Sequence, residues 1–296
     1  MALTFSFSSK NNEHFATPLD GGAKFLVGKR TLYQGNSGLY NVNITPGIVY
    51  DPAGFESAFG FWAWFLYPTS RCESKGSFYC LNTYDRAKFT FGFMQYAAHV
   101  PEGDFVVFLR KLLALPGASW YFPRLRLEGN RICYRRDNGI LIPLENASST
   151  QGLMDYFNPS LNEIEQQELI CSARMVHWAM NDPDHIRVQV ETAIDHFRKN
   201  MISYAERYDL DNVPDKVCLV ICDIRHQGRA SSSDILAALQ TGGNYEKAYA
   251  NLAGLGAVHY PDRIKTLKNA ISDLVSRGIL GKKKYSVDAG DFVDMG

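Results

Sequence analysis

Residues Arg71–Gln95 read RCESKGSFYCLNTYDRAKFTFGFMQ, and this stretch decides how the rest of the chain is interpreted. It contains two carboxylates, Glu73 and Asp85, which lie twelve residues apart among aromatic and small polar side chains. A glycine between aromatics, Gly92, follows in the run FGFMQ. Acidic side chains are seldom placed next to a packed interior unless a partner or a function holds them there. The two acids are therefore the first candidates for functional residues.

The segment before this stretch is strongly apolar. Apolar side chains recur at helical spacing from Phe55 to Tyr67, and much of the opposite face is apolar as well. This pattern predicts a helix that is buried on nearly all sides. Pro68 is expected to end or kink the helix, because proline lacks a backbone N–H and clashes with the preceding turn. Glu73 is then expected just past a core helix, at the edge of the packed interior.

The strand signals are weaker and are spread over the first half of the chain. Residues 1–50 are rich in Gly, Asn, Ser and Thr, which predicts irregular structure with short strands. Phe89–Gln95 is expected to form a strand or a tight extended turn. Residues 131–144, RICYRRDNGILIPL, alternate in polarity around Asp137-Asn138-Gly139, which predicts a β-hairpin.

The second half of the chain is predicted to be helical. Helices are expected over 104–115, from a Ser160 and Glu163 capping box to Met180, from Asp182-Pro183 through Met201, after Pro214, from Ser233, and over Pro261–Arg277 with Gly278 closing the last one. The fold class that follows is α+β and mostly α, with a small β element near the middle. Asp223, His226 and Gln227 are expected to form a buried polar network where the helix after Pro214 ends.

Composition excludes several classes of protein. The chain has 296 residues with 31 basic and 31 acidic side chains, and this zero balance argues against a generic nucleic-acid binder. The first fifteen residues show no secretory signal. The most apolar run, Phe55–Tyr67, is too short to span a bilayer and contains Glu56. We therefore expect a soluble protein without membrane insertion.

The six cysteines do not form a metal-binding pattern. No CxxC pair occurs, so a zinc site is disfavoured and buried thiols are expected instead. Cys72 and Cys80 flank Glu73, and an oxidising compartment could join them in a disulfide. The sequence leaves both states open.

Paired carboxyls are the chemistry that cuts glycosidic bonds. One carboxyl donates a proton to the leaving oxygen, and the other stays ionised to activate water or stabilise positive charge at the anomeric carbon. Glu73 fits the acid, since it follows the most hydrophobic helix and apolar surroundings favour the protonated form. Asp85 fits the ionised partner, because its neighbours can hydrogen-bond or pair with an anion. Those neighbours are Asn82, Thr83, Tyr84 and Arg86.

The dipeptide Glu73-Ser74, followed by Phe91–Gln95 eighteen residues after the Glu, resembles the lysozyme superfamily, in particular goose-type lysozymes and lytic transglycosylases. In those enzymes a catalytic Glu followed by Ser ends a core helix, and a Gly-Leu-Met-Gln segment shapes the cleft. Phe93 stands here in place of the usual Leu. The resemblance implies a lysozyme-like fold with a small β element beside a buried core helix, and it implies that Glu73 is the general acid.

A second segment is similar to the chitosanases of the same superfamily. Asp85–Gly92, DRAKFTFG, resembles their Asp-Gly-Arg-Gly-Tyr-Thr-x-Gly segment, whose Asp is the general base. The later run CDIRHQG, residues 222–228, is weakly similar to a chitosanase helix end. Goose-type enzymes carry one water-positioning aspartate close to the position of Asp85 and a second just after the position of Gln95. At the second position this chain has Tyr96 and Ala97. The water-handling role would therefore rest on Asp85 alone.

Together these features predict a muramidase, a glycosidase that cuts the β-1,4 bonds of peptidoglycan with inversion. The domain division that follows is an N-terminal extension over 1–50 and a lysozyme-like catalytic domain over 51–296, with a hairpin insertion near 123–145. The expected substrate-binding residues are Ser74, Tyr84, Thr90, Gly92, Phe93, Met94 and Gln95. The basic residues around the acids favour peptidoglycan over cationic chitosan; they are Arg71, Lys75, Arg86 and Lys88.

Three alternatives stay open: a chitosanase, a lytic transglycosylase, and a non-catalytic glycan-binding protein with the same fold. No metal or cofactor is required by any of them. The expected partner is a polysaccharide rather than nucleic acid, and an immunity or inhibitor protein is a further partner class. Without a signal peptide, the chain would act on the cell wall, in the periplasm or outside the cell, after release as a phage lysin or delivery as an effector.

Overall fold

The computed structural model describes residues 2–42 and 47–295. The chain is a mixed α/β protein, 44% helical and 20% strand. It divides into two compact units. The sheet unit comprises Met1–Tyr50 and Glu73–Thr192, and the helical unit comprises Asp51–Cys72 and Ala193–Gly296. The sequence placed a single boundary near residue 50, whereas in the structure residues 1–50 belong to the same unit as Glu73 and Asp85.

The sheet unit is built on a seven-stranded antiparallel sheet whose strands follow one another in chain order. The strands are β1 (Phe5–Lys10), β2 (Glu13–Pro18), β3 (Phe25–Tyr33), β4 (Asn36–Tyr40), β5 (Leu81–Asn82), β6 (Thr90–Phe91) and β7 (Tyr96–Ala97). A second sheet of three strands contains β8 (Leu125–Glu128), β9 (Arg131–Arg135) and β10 (Leu141–Pro143). The β9–β10 pair confirms the predicted hairpin.

The short strands predicted within residues 1–50 are confirmed as β1–β4, but they form one continuous antiparallel ladder rather than the irregular structure that was also expected there. The residues that suggested irregularity occupy the hairpin turns, where Asn11 and Asn12 have φ of 53° and 64°. Positive φ at both central positions is what a tight two-residue hairpin requires, and asparagine adopts it more readily than most residues. Several Ser and Thr side chains lie on the strands and face solvent. Residues that favour turns, together with polar residues on exposed strand faces, therefore gave residues 1–50 a composition typical of irregular structure.

Eleven α-helices occur in the described residues. They are α1 (Glu56–Phe59), α2 (Phe61–Ser74), α3 (Asp104–Leu113), α4 (Ala118–Tyr121), α5 (Gln151–Phe157), α6 (Gln166–Asn181), α7 (Pro183–Tyr208), α8 (Asp215–Gln227), α9 (Ser232–Leu239), α10 (Tyr245–Leu252) and α11 (Pro261–Ser276). The predicted helices at α3, α7, α8, α9 and α11 are confirmed. Gly278 follows α11 with φ of 70°, as expected for a residue just past a helix end. A short hairpin, β11 (Lys283–Ser286) and β12 (Asp291–Asp294), lies in the helical unit.

Pro68 was expected to end or kink the core helix, and the first of these two outcomes is wrong. Pro68 lies inside α2, which continues to Ser74. Proline removes one intrahelical hydrogen bond, but buried side chains such as Trp62 and Phe65 hold the helix in place. Glu73 therefore lies in the last turn of α2 rather than past its end.

The predicted capping box at the start of α6 is also wrong. The helix begins at Gln166, and its N-cap residue is Glu165, which makes no side-chain capping bond. Ser160 Oγ instead accepts a hydrogen bond from Asn162 N at 3.0 Å. Ser160 therefore belongs to a turn, where a hydroxyl bonded to nearby backbone is equally favourable.

The core of the helical unit contains a buried ionic cluster at the end of α8. Asp223 accepts from Arg229 Nη1 at 2.5 Å and from Arg263 Nη2 at 2.7 Å. The side chains of Asp223 and Arg229 are fully buried. Removing one partner from such a cluster leaves an uncompensated buried charge, so the cluster ties α8 to α11. A buried polar network was expected here, and Asp223 belongs to one.

Candidate functional site

A polar groove of about 620 Å³ opens on the sheet unit beside Asp85. We call it the Asp85 groove. Its walls come from the β3–β4 hairpin, from β5 and the loop after it, from β6 and β7, and from His99, which follows β7. It is lined by Tyr33, Gln34, Asn36, Asn82, Tyr84, Asp85, Arg86, Ala87, Thr90, Ala97 and His99. A concave site with several convergent polar groups is the usual form of a small-ligand or substrate site.

Both oxygens of the Asp85 carboxylate are oriented by hydrogen bonds. Asn82 Nδ2 donates to Oδ2 at 3.0 Å, and Ala87 N donates to Oδ1 at 2.9 Å. The backbone closes the same turn, because Lys88 N donates to the Asp85 carbonyl at 2.9 Å. The carboxylate is therefore held in one orientation at the groove surface.

The loop that carries Asp85 is anchored from beneath by Thr83. Its Oγ1 accepts from Leu39 N at 2.6 Å and lies 2.5 Å from Glu168 Oε1. A Cβ at Gly38 would lie 2.8 Å from Tyr84 N, so glycine permits the close approach of β4 to this loop. These contacts fix the position of the loop relative to the core of the sheet unit.

Glu168 is a buried carboxyl that sequence reasoning missed. Burial raises its pKa to about 7, while the hydrogen bond to Thr83 opposes that rise. Its second oxygen, Oε2, has no hydrogen-bond partner among the described residues. No local signal identifies Glu168, since it lies 85 residues from Thr83 in the chain.

Asn158 anchors the other end of the same loop and was also missed. Its side-chain amide donates to the Thr83 carbonyl at 2.9 Å and to the Lys88 carbonyl at 3.2 Å. Lys88 in turn pairs with Asp155 at 2.6 Å. Buried carbonyls in irregular loops require such donors, and the sequence cannot show which distant residue supplies them.

His99 is a further titratable group in the groove, besides Asp85, Arg86 and two tyrosines, and it too was missed. Burial lowers its pKa, Arg86 lowers it further, and Asp85 opposes the change. His99 is therefore uncharged at neutral pH. Its Nδ1 is buried and has no hydrogen-bond partner within the described part of the chain.

Glu73 is half-buried in the last turn of α2 and is not among the residues that line the Asp85 groove. It lies close enough to Cys80 for its charge to act on that thiol. Burial first, and Glu73 second, raise the pKa of Cys80 to about 12. Cys80 directly precedes β5, whereas Asp85 lies in the loop after β5. The two acids therefore lie before and after the same short strand.

The seven expected substrate-binding residues lie in three environments. Tyr84 and Thr90 line the Asp85 groove. Gln95 is half-buried, and its side chain donates to the Gly92 carbonyl at 2.9 Å and bonds with Cys80. The remaining four are buried in the sheet unit: Ser74, Gly92, Phe93 and Met94.

The buried group forms a tightly bonded support. Ser74 Oγ donates to the Phe93 carbonyl at 2.7 Å and accepts from Gly76 N at 3.1 Å. Phe93 N donates to Gln189 Oε1 at 3.1 Å, and Gln189 Nε2 donates to the Phe78 carbonyl at 2.8 Å. A Cβ on Gly92 would lie 2.4 Å from Gln189 Oε1. The glycine thus makes room for Gln189, and Ser74 fixes the end of α2 against this turn.

Neither a disulfide nor a metal-binding cluster occurs among the described residues. No cysteine pair in the described chain forms a disulfide, and Cys72 Sγ lies 3.6 Å from the Arg263 carbonyl. Across residues 2–42 and 47–295, no group of three or more His, Cys, Asp or Glu side chains is placed to hold a metal ion. Over the same residues, no helix combines the length and the apolar character needed to cross a bilayer.

Comparison with known proteins returned no match to a family model, to a curated protein or to a solved structure.

Proposed function

We propose that the chain is a glycoside hydrolase that cuts the β-1,4 bonds of peptidoglycan, with Asp85 as the groove carboxylate. The observation that carries this proposal is the Asp85 groove itself, in which an oriented carboxylate is surrounded by amide, hydroxyl, guanidinium and imidazole groups. Such groups match the hydroxyl and N-acetyl substituents of a glycan. Asp85 can orient a water molecule and take its proton as that water attacks the anomeric carbon.

Glu73 is the proposed proton donor. It lies in the last turn of a buried helix, and strands β5, β6 and β7 of the seven-stranded sheet follow; the lysozyme-like resemblance implies a β element after such a helix, although a smaller one. The hydrogen bond from Ser74 to the Phe93 carbonyl holds the helix end against the turn between β6 and β7. Donation requires the Glu73 carboxyl to reach the glycosidic oxygen in the bound complex. Catalytic contacts are often long in the free enzyme and tighten when substrate binds.

The charge of the groove supports peptidoglycan over chitosan. Its lining includes one acidic side chain, Asp85, and one guanidinium, Arg86, while His99 is uncharged at neutral pH. A cationic polymer such as chitosan would be expected in an acidic cleft. The N-acetylated sugars of peptidoglycan are neutral, and Arg86 can pair with a stem carboxylate.

The product of the reaction tests the proposal. Purified peptidoglycan is incubated with the protein, and the fragments are analysed by mass spectrometry. Fragments with free reducing ends are expected. Fragments that end in anhydro-muramic acid would instead indicate a lytic transglycosylase, and intact peptidoglycan would overturn the muramidase proposal.

Two variants test the roles of the acids. Glu73→Gln and Asp85→Asn are each expected to lower the cleavage rate by about 100-fold or more, as is typical when an acid or base is removed. Glu128→Gln, at an exposed position on β8, is the matched control and should cleave like the native protein. Circular dichroism and thermal unfolding verify that the variants fold. Loss with Glu73→Gln alone would support transglycosylation, because the substrate hydroxyl then replaces water.

The position of Glu73 outside the groove lining favours one other candidate, a glycan-binding protein without catalysis. In that case the native protein would bind peptidoglycan and release no fragments. Glu73→Gln would leave this binding unchanged, whereas Asp85→Asn would weaken it, since Asp85 lies at the groove surface.

A further inference from the structure

The β3–β4 hairpin is a short, rigid element that reaches the Asp85 groove. Tyr33 pairs with Asn36 across a two-residue turn, in which Gln34 and Gly35 have φ of 51° and 85°. Positive φ at both central positions defines the tight turn whose twist matches that of the strands. Ladder pairing continues from this turn to Lys29 and Tyr40. Side chains at the end of such a ladder are held more precisely than side chains on a loop.

Tyr33 is an exposed aromatic residue at this end. Half of the Tyr33 surface is accessible, and its ring centroid lies 5.6 Å from that of Tyr84 at an angle of 58°. Both rings line the groove. The preceding residue, Leu32, is 70% exposed and is not among the groove residues, because successive strand side chains point to opposite faces. The hairpin thus has one face directed to the groove and one face directed away.

Amide groups flank the two rings on the same wall. Gln34 and Asn36 both line the groove, and each amide offers a carbonyl acceptor and an NH₂ donor. The Tyr84 hydroxyl stays protonated at neutral pH, since burial and then the charge of Asp85 raise its pKa. The wall therefore combines apolar ring faces with hydrogen-bond donors and acceptors. A pyranose has the complementary surface, with apolar C–H faces and hydroxyls around the rim.

We propose that the β3–β4 hairpin is a sugar-binding subsite of the Asp85 groove, in which a pyranose ring stacks on the Tyr33 and Tyr84 rings and bonds to Gln34 and Asn36. This inference rests on the proposed function. It places part of the bound glycan strand against the β3–β4 hairpin, outside the Glu73–Gln95 motif. It also gives the N-terminal strands a direct role in substrate recognition.

Binding and turnover of three hairpin variants test the subsite. Tyr33→Ala removes the ring, Tyr33→Phe keeps it, and Leu32→Ala is the matched control on the opposite face of the same strand. Binding is measured by calorimetry with N-acetylated chito-oligosaccharides and with glycan fragments of peptidoglycan, in the Glu73→Gln background to prevent cleavage. The kcat and KM values are measured on peptidoglycan with Glu73 intact. Thermal unfolding verifies that each hairpin is folded.

Tyr33→Ala is expected to raise Kd and KM about tenfold, with kcat within about twofold of the native value, because a stacking contact remote from the cleaved bond contributes equally to ground state and transition state. Leu32→Ala should stay within about twofold of the native Kd and KM, and Tyr33→Phe should bind more tightly than Tyr33→Ala because it keeps the ring. If Tyr33→Ala and Leu32→Ala behave alike in a protein that cleaves peptidoglycan, the subsite is overturned and the proposed function stands. If the glycan binds with the expected Tyr33 dependence but is not cleaved, the subsite stands and the hydrolase proposal falls. Absence of binding and of cleavage in the native protein overturns both.

Discussion

The Gly92–Met94 turn and the Asn82–Ala87 loop belong to the same motif segment but lie in opposite environments. The turn is buried, and the backbone of Phe93 is hydrogen-bonded to the side chains of Ser74 and Gln189. The loop lies at the surface and contributes Asp85 to the groove. The difference shows that adjacent parts of one sequence motif can have separate structural tasks: one holds a helix end in place, and the other forms part of the lining of a groove.

The largest effect is expected from Gly92→Ala, which would disrupt the buried turn. The new methyl group would combine a strained φ of 90° with a clash against Gln189 Oε1 at 2.4 Å. We expect the free energy of unfolding to fall by about 3 kcal/mol, measured by urea denaturation.

Gly139→Ala is the matched control for this change. Gly139 has a similar φ of 82°, but a Cβ there would meet nothing within 4 Å. Its expected loss is about 1 kcal/mol, from backbone strain alone. Equal losses for the two variants would show that the contact with Gln189 contributes nothing.

A smaller effect is expected from Glu168→Gln, which changes the support beneath the groove loop. The pKa of Glu168 is raised to about 7 from an ordinary value of 4.5, so the folded state binds a proton that the unfolded state has released. Stability from this group is fully present below the ordinary value and is lost as pH rises through 7. Between pH 5 and pH 8 the free energy of unfolding of the native protein should fall by about 2 kcal/mol relative to that of the variant. If the free energies of unfolding of the native protein and the variant change in parallel with pH, the raised pKa of Glu168 is contradicted.

The smallest effect is expected from Ser74→Ala, which removes two hydrogen bonds that support the buried turn. The Phe93 carbonyl loses its donor at 2.7 Å, and Gly76 N loses its acceptor at 3.1 Å. The free energy of unfolding should fall by about 1 kcal/mol. Ser8→Ala, at an exposed position on β1, provides the reference and should change it by less than about 0.5 kcal/mol. A result equal to that reference would remove Ser74 from the support.

Local patterns predicted the elements whose stability is local. The β9–β10 hairpin followed from alternation around Asp137-Asn138-Gly139, and α7 followed from the Asp182-Pro183 start signal. Pro68 was misread because tertiary burial outweighs the single backbone bond that proline removes. The strands β1–β4 were predicted only as short strands within irregular structure, because their turns use residues that also signal irregular structure.

The site was predictable only where its residues are close in sequence. Asp85 was selected from its polar neighbours, and the structure places it in a groove. The catalytic pairing of Glu73 with Asp85 remains a prediction. Glu168, Asn158 and Gln189 could not be selected, because each is bonded to the motif segment over 70 residues or more of intervening chain.

The order of strands in the large sheet has a consequence for how the protein folds. Strands β1 to β4 follow one another after connections of two to six residues, whereas β5, which pairs with β4 at Tyr40 and Asn82, follows only after the chain has passed through the helical unit. Local pairings form quickly, and pairings across a long excursion form slowly because loop closure must come first. The hairpin wall and the Asp85 loop therefore come from an early and a late part of the sheet. A partly folded chain can hold a complete hairpin and still have no groove.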